Sequence, residues 1–246
     1  MRADTPSISA PPFPRNLPWV NVAMLRMDQQ REKPVLIEFW DFCRVNSLRT
    51  LPYLKAWHER YADAGLRIIQ VHTGGYLAAR DEDNVRRAVE RLEIPWPVVI
   101  DSQLEIWDIY GNQGWPARYL WDTEHNLYSM HYGEGAYVET EREIQELLDV
   151  SGEPVAPVRP EDAEDALIAV PTEDQPGAYS GPYEAGGVWV VVEGSGVVRA
   201  GGRELVVTEP GAFSLIEHER HTAGTLELSV DEGVVVHATC FTPGVV

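Results

Sequence analysis

The stretch VLIEFWDFCRVNSLRTLPYLKAWHERYADAG, from Val35 to Gly65, decides the fold of this chain. Val35 to Trp40 is an apolar run entered from Pro34, which reads as a buried strand. Leu48, Leu51, Leu54, Trp57 and Tyr61 then fall near one stripe, so a helix follows through residues 48–65, with Gly65 placed to end it. Downstream the alternation repeats. Leu66 to Val71 reads as a strand, and Asp81 to Leu92 as a helix with its acids biased to the start, where the helix dipole favours them. Val98 to Ile100 is a short strand, and QLEIWDIYG a helical turn. Ala117 to Trp121 and Leu127 to His131 form an antiparallel hairpin around DTEHN. A last helix spans Val138 to Val150, with Thr140 and Glu143 spaced as a capping box. The order predicts an α/β unit with a mixed central sheet and helices on both faces.

Further along, the period changes. Val188 to Val192, Gly196 to Ala200, Arg203 to Val207, Ala212 to Glu217, Gly224 to Ser229 and Val234 to Thr242 are strand candidates separated by turn signals. They predict a small all-β sandwich over 178–246. Between the two lies an acidic connector, residues 151–177, with five prolines and seven acids against the single Arg159. The first unit is 1–150, opening with a Pro-rich arm that carries Phe13, Leu17 and Trp19. Charge follows the same division: residues 1–150 carry 23 acids and 16 bases, residues 151–246 carry 16 acids and 4 bases.

Composition excludes several functions. The 246 residues carry a formal charge of −19, which makes nucleic acid an unsuitable partner. No run of 18 apolar residues exists to span a membrane. Two cysteines rule out a disulfide framework or a Cys-rich metal cluster. The opening MRADTPSISAPPFPRN has no apolar core of an export signal, so the expected location is cytoplasmic.

The segment from Phe39 to Leu66, together with VHTGGY, IWDIYGNQGWPARYLWD and HYGEGAYVETEREIQELL, resembles the thioredoxin-like domains of thiol–disulfide oxidoreductases. Within that family it is most similar to the C-terminal region of the DipZ group, where the motif segment has the form F-W-x-Y-x-C-x-N-C-L-R-T-L-P-Y. The resemblance covers about residues 34–149 and implies a thioredoxin-like fold. AGGVWVVVEG and LELSVDEGVVVHATCFTPGV resemble, more weakly, the carbohydrate-binding-module-like β-sandwich that follows in the same group. Those family members work outside the cytoplasm.

One departure governs the chemistry. Counting back from Leu48-Arg49-Thr50, Arg44 and Ser47 stand where the family has its two cysteines, so the motif reads Arg44-Val45-Asn46-Ser47. Dithiol exchange needs an activated thiolate at the helix start and a second thiol to resolve the mixed disulfide. Serine resolves nothing and arginine attacks nothing. Cys43 lies one position before the nucleophile slot, and three readings stay open. The first is a family protein that has lost its activity. The second is a one-cysteine thiol transferase or peroxidase using Cys43, with Arg44 and the helix dipole stabilising a thiolate. The third is a non-enzymatic module holding a peptide or protein, or a glycan on the β-sandwich.

For the peptide reading, Trp115-Pro116 matches the family's cis-proline loop, and Trp40, Trp115 and Pro116 are the expected groove. An anion held by Arg44 at the helix start is a further option. His72, His131 and Glu38 occupy positions that can face the site, with no partner visible in sequence. In the β module, His218, His221 and His237 with Glu217 or Cys240 invite a zinc reading, but the spacing fits no established motif, and no metal or cofactor is expected. No phosphate-binding glycine motif occurs.

Overall fold

A computed structural model describes residues 8–246; the start of the segment read above for an export signal, residues 1–7, lies outside them. The chain divides into two compact units. One comprises the residues through Asp41 together with Asn46–Ala156, and the other comprises Phe42–Val45 together with Pro157–Val246.

The first unit holds strands β1 (Trp19–Val20), β2 (Val35–Trp40), β3 (Arg67–His72), β4 (Val98–Ile100), β5 (Ala117–Trp121) and β6 (Leu127–Tyr132) in one sheet of order β1-β4-β3-β2-β5-β6. β2, β3 and β4 are mutually parallel, while β5, β6 and β1 join antiparallel. Helices α1 (Val45–Tyr61), α2 (Glu82–Arg91), α3 (Glu105–Tyr110) and α4 (Tyr137–Leu148) complete it. Strand alternation sorts the side chains. Val35, Ile37 and Phe39 of β2, with Tyr119 and Trp121 of β5, join the arm residues Phe13 and Trp19 and Ile106 of α3 in one apolar core. Leu36, Glu38, Arg118 and Leu120 belong to the other face, where Arg118 lies over the Trp57 ring of α1 and the Tyr137 ring of α4.

Two local readings need correction. α1 begins at Val45, three residues before the predicted start, so most of the altered motif forms its first turn. Thr140 is no cap: α4 starts after Ala136, and the Thr140 hydroxyl donates back to the Ala136 carbonyl from inside the helix. Glu143 accepts the Ser129 hydroxyl instead. Asp81, by contrast, caps α2 by accepting the Asn84 N–H at 2.9 Å.

The second unit is β-rich. β7 (Ile168–Ala169) pairs with β15 (Gly244–Val245), and β8 (Gln175–Pro176) joins a four-stranded sheet of order β12-β9-β14-β8. That sheet is built on β9 (Gly181–Gly194), β12 (Gly211–Leu226) and β14 (Val234–Thr242). β10 (Gly196–Ala200), β11 (Arg203–Val207) and β13 (Ser229–Val230) form a second sheet, and Val188, Val190, Val192, Val198, Leu215 and Phe241 fill the core. β12 absorbs one predicted strand and the first half of the next, because register shifts beside Ser214 and between Glu217 and Thr222 carry the ladder through the polar HERH segment. No described helix is long and apolar enough to cross a membrane.

Candidate functional site

In the first unit, the carboxyl ends of β2 and β3 meet the start of α1 and the loop before β5. Side chains at such an edge converge. Asp41, one residue past β2, is fully buried. Its Oδ2 accepts the Gly75 N–H at 2.8 Å, and its backbone N–H donates to Ser47 Oγ at 3.2 Å. Ser47 is therefore a buried acceptor tying α1 to the end of β2. His72 Nε2 lies 3.9 Å from Asp41 Oδ1, and burial depresses the imidazole to about 3. His72 is thus neutral, and the approach is not an ion pair.

The Trp115–Pro116 bond is cis. Trp115 Nε1 donates to Thr73 Oγ1 at 2.7 Å, and its ring lies 4.6 Å from that of Trp107. The expected groove is narrower than the sequence implied. Trp40 is 1% exposed, edge-on to His72 at 5.1 Å, and so cannot line an open cleft. Pro116 is buried with its carbonyl taken by the Gly133 N–H. Trp115 stays partly exposed and Asn46 exposed. His131 Nε2 meets the Glu134 carbonyl at 2.9 Å, and Glu134 pairs with Arg49 at 2.8 Å.

Behind the edge, Glu38 pairs with Arg118 in the β2–β5 register. Gln70 Nε2 donates to Glu38 Oε2 at 2.6 Å, while Gln70 Oε1 accepts Trp96 Nε1 at 2.9 Å. Burial raises the Glu38 carboxyl to about 8 despite that donor and the Arg118 charge, so it is protonated at neutral pH. A second buried acid, Glu141 of α4, collects Trp57 Nε1, the Arg60 guanidinium, the Tyr61 hydroxyl and the Val155 N–H at 2.7–3.1 Å. Sequence reasoning singled out neither Asp41 nor Glu141. The available signal for Asp41 was its place directly after an apolar strand.

The motif loop Phe42–Val45 belongs to the second unit, where the Phe42 carbonyl accepts the Ala212 N–H at 3.1 Å. Cys43 is 2% exposed and Arg44 partly buried. Cys240 is also buried; burial, then Asp174, raises its thiol pKa, and neither cysteine forms a disulfide. The three β-module histidines take separate partners. His218 meets the Tyr183 hydroxyl at 2.9 Å, His221 approaches Glu184 and His237 approaches Glu193. Among the described residues no group of three or more His, Cys, Asp or Glu side chains is arranged to hold a metal. Of the module's aromatics, Tyr183 and Phe241 are buried and Tyr179, Trp189 and Phe213 partly so.

The fold is thioredoxin-like, and Arg44 and Ser47 stand at the edge where the resembling motif has its two cysteines. The chain is similar in sequence to Protein DipZ and in fold to a putative thiol:disulfide interchange protein DsbE from Chlorobium tepidum. Protein DipZ of Mycobacterium tuberculosis is 36% identical over 119 residues, which are 48% of this chain and 17% of DipZ. The chain therefore spans only a small part of that relative's length. Among solved structures, the thioredoxin-like superfamily protein SPOA0173 matches with a TM-score of 0.54 and 20% identity, over 60% of this chain and all of that one. A thiol-disulfide isomerase from Corynebacterium glutamicum matches with a TM-score of 0.50 and 17% identity, over 58% of this chain and 98% of that one. No family model matches the chain.

Proposed function

We propose that this protein is a non-catalytic thioredoxin-like binding protein, corresponding to the C-terminal region of DipZ-type proteins. The observation that carries the reading is the state of the motif. Arg44 and Ser47 supply no thiol, Ser47 is spent on a buried hydrogen bond, and Cys43 is 2% exposed. A thiolate nucleophile must be accessible as well as activated. What the edge still offers a partner is exposed Asn46 and the partly exposed Trp115 ring, which suit an extended peptide or a loop of another protein better than a reacting disulfide. The 36% identity to DipZ, and the order of a thioredoxin-like unit before a β-rich one, support the finer correspondence.

The test is iodoacetamide labelling of Cys43 across pH with mass-spectrometric site assignment, run beside insulin-disulfide and peroxide turnover. A Cys43→Ala variant is the control. The expected result is a thiol silent until the chain is unfolded, with no turnover in either protein. Rapid labelling below about pH 7, with turnover abolished in Cys43→Ala, would make this a one-cysteine enzyme and end the binding-protein reading.

A further inference from the structure

On the α3 face of the first-unit sheet lies a cavity of about 370 Å³ that the motif does not use. Ile8 and Pro11 of the N-terminal arm, Ile109 of α3, Tyr119 of β5 and Leu127 and Tyr132 of β6 are among its walls. Its size falls within the range of roughly 300–1,000 Å³ typical of small-molecule sites. Among the described residues no charged side chain lines it. Ile8, Ile109 and Tyr132 are 49%, 49% and 40% exposed, so three of the unit's large exposed apolar side chains gather at this one place.

The hydrogen bonds at its wall have a direction. Asn112 Nδ2 donates to the Gly114 carbonyl at 3.0 Å, which orients the amide and leaves Oδ1 facing Tyr119. The Tyr119 hydroxyl donates to that Oδ1 at 3.0 Å, so its only proton is committed. The 2.7 Å contact between the Tyr119 and Tyr132 oxygens must therefore use the Tyr132 proton. The Tyr132 hydroxyl, with no other hydrogen bond among the described residues, shows only acceptor lone pairs. A matching ligand has to bring the donor.

We propose that this cavity binds a small, uncharged, flat aromatic molecule carrying one O–H or N–H group, which donates to the Tyr132 oxygen. Aromatic walls favour a ring, the lack of a lined charge disfavours an ion, and the phenol polarity selects a donor over a bare ring or an ether.

The experiment titrates the full chain with 2-naphthol and with 2-methoxynaphthalene by calorimetry, with saturation-transfer NMR as a second readout. 2-Naphthol should bind at or below about 1 mM, the range expected of so small a ligand. The ether should bind about fivefold more weakly, the usual effect of one uncharged hydrogen bond. Tyr132→Phe, which keeps the ring, should bring 2-naphthol down to the ether's affinity while leaving the ether unchanged. Ile109→Trp should reduce both by filling the cavity, with an unchanged circular dichroism spectrum showing that the chain still folds. No binding of 2-naphthol at 1 mM, equal affinity for the two probes, or indifference to Tyr132→Phe would overturn the proposal.

Discussion

Glu38→Gln should stabilise the first unit in a strongly pH-dependent way. Glu38 is fully buried, and its folded pKa of about 8 stands above the ordinary 4.5. Between those values the native carboxyl holds a proton that the unfolded chain has released. Stability is then fully present below about pH 4.5 and is lost as pH rises through 8, at about 1.4 kcal/mol per pH unit. Over the whole interval this amounts to about 5 kcal/mol as an upper bound, against a total of about 5–15 kcal/mol for an ordinary domain. His72 acts in the opposite sense: its depressed value of about 3 removes stability as pH falls below about 6.5. The wild-type profile alone mixes the two, so the informative quantity is the difference between variant and wild type. Glutamine retains the acceptor for Gln70 and cannot ionise. Urea denaturation followed by tryptophan fluorescence reports this unit, because seven of the eight tryptophans lie in residues 1–150. The variant's advantage should grow steadily between about pH 5 and pH 8 and level off beyond. A difference that stays constant with pH would refute the reasoning, since it would mean that Glu38 has the same pKa folded and unfolded.

Other outcomes follow from the same packing. Glu141→Gln would set an amide donor among four donors and should cost about 2–4 kcal/mol, read as a lowered thermal midpoint. At Gly74, an added Cβ would lie 2.5 Å from the Ala79 backbone carbonyl, so Gly74→Ala should lose about 1–3 kcal/mol or more in urea denaturation. The His72 imidazole should show no titration in NMR spectra between pH 5 and pH 8, whereas a midpoint near 6.5 would contradict its enclosure.

Periodicity carried most of the first unit. Val35–Trp40, Val98–Ile100 and Ala117–Trp121 appear with the bounds read from sequence, because each is a short apolar run bounded by proline, aspartate or a turn. Where local signals competed, the reading failed. Thr140 with Glu143 has the spacing of a cap, but a threonine inside a helix can equally donate to the carbonyl four residues back, as this one does. The break expected between residues 217 and 224 is a bulged strand, since a ladder tolerates polar residues on its open face. At the edge, the loss of the motif cysteines was legible from four residues. The clustering of Asp41 with Gly75 and His72 was not, because it joins positions more than thirty residues apart through the parallel pairing of β2 and β3. The direction of the Tyr132–Tyr119–Asn112 bonds likewise depends on strand register and on one amide's orientation, which no sequence pattern encodes.

The Glu141 carboxylate has a consequence for where the first unit ends. Its fourth donor is the backbone N–H of Val155, and the Arg60 guanidinium that it holds also donates to the Glu153 carbonyl at 2.9 Å. Helix α4 stops at Leu148, yet the chain remains part of this unit until Ala156. A polypeptide cut at residue 150 would keep every helix and strand of this unit and still leave the buried Glu141 side chain short of a donor. One cut after Ala156 would keep that donor in place. The hydrogen-bond needs of one acid thus carry the first unit six residues beyond the point that composition suggests.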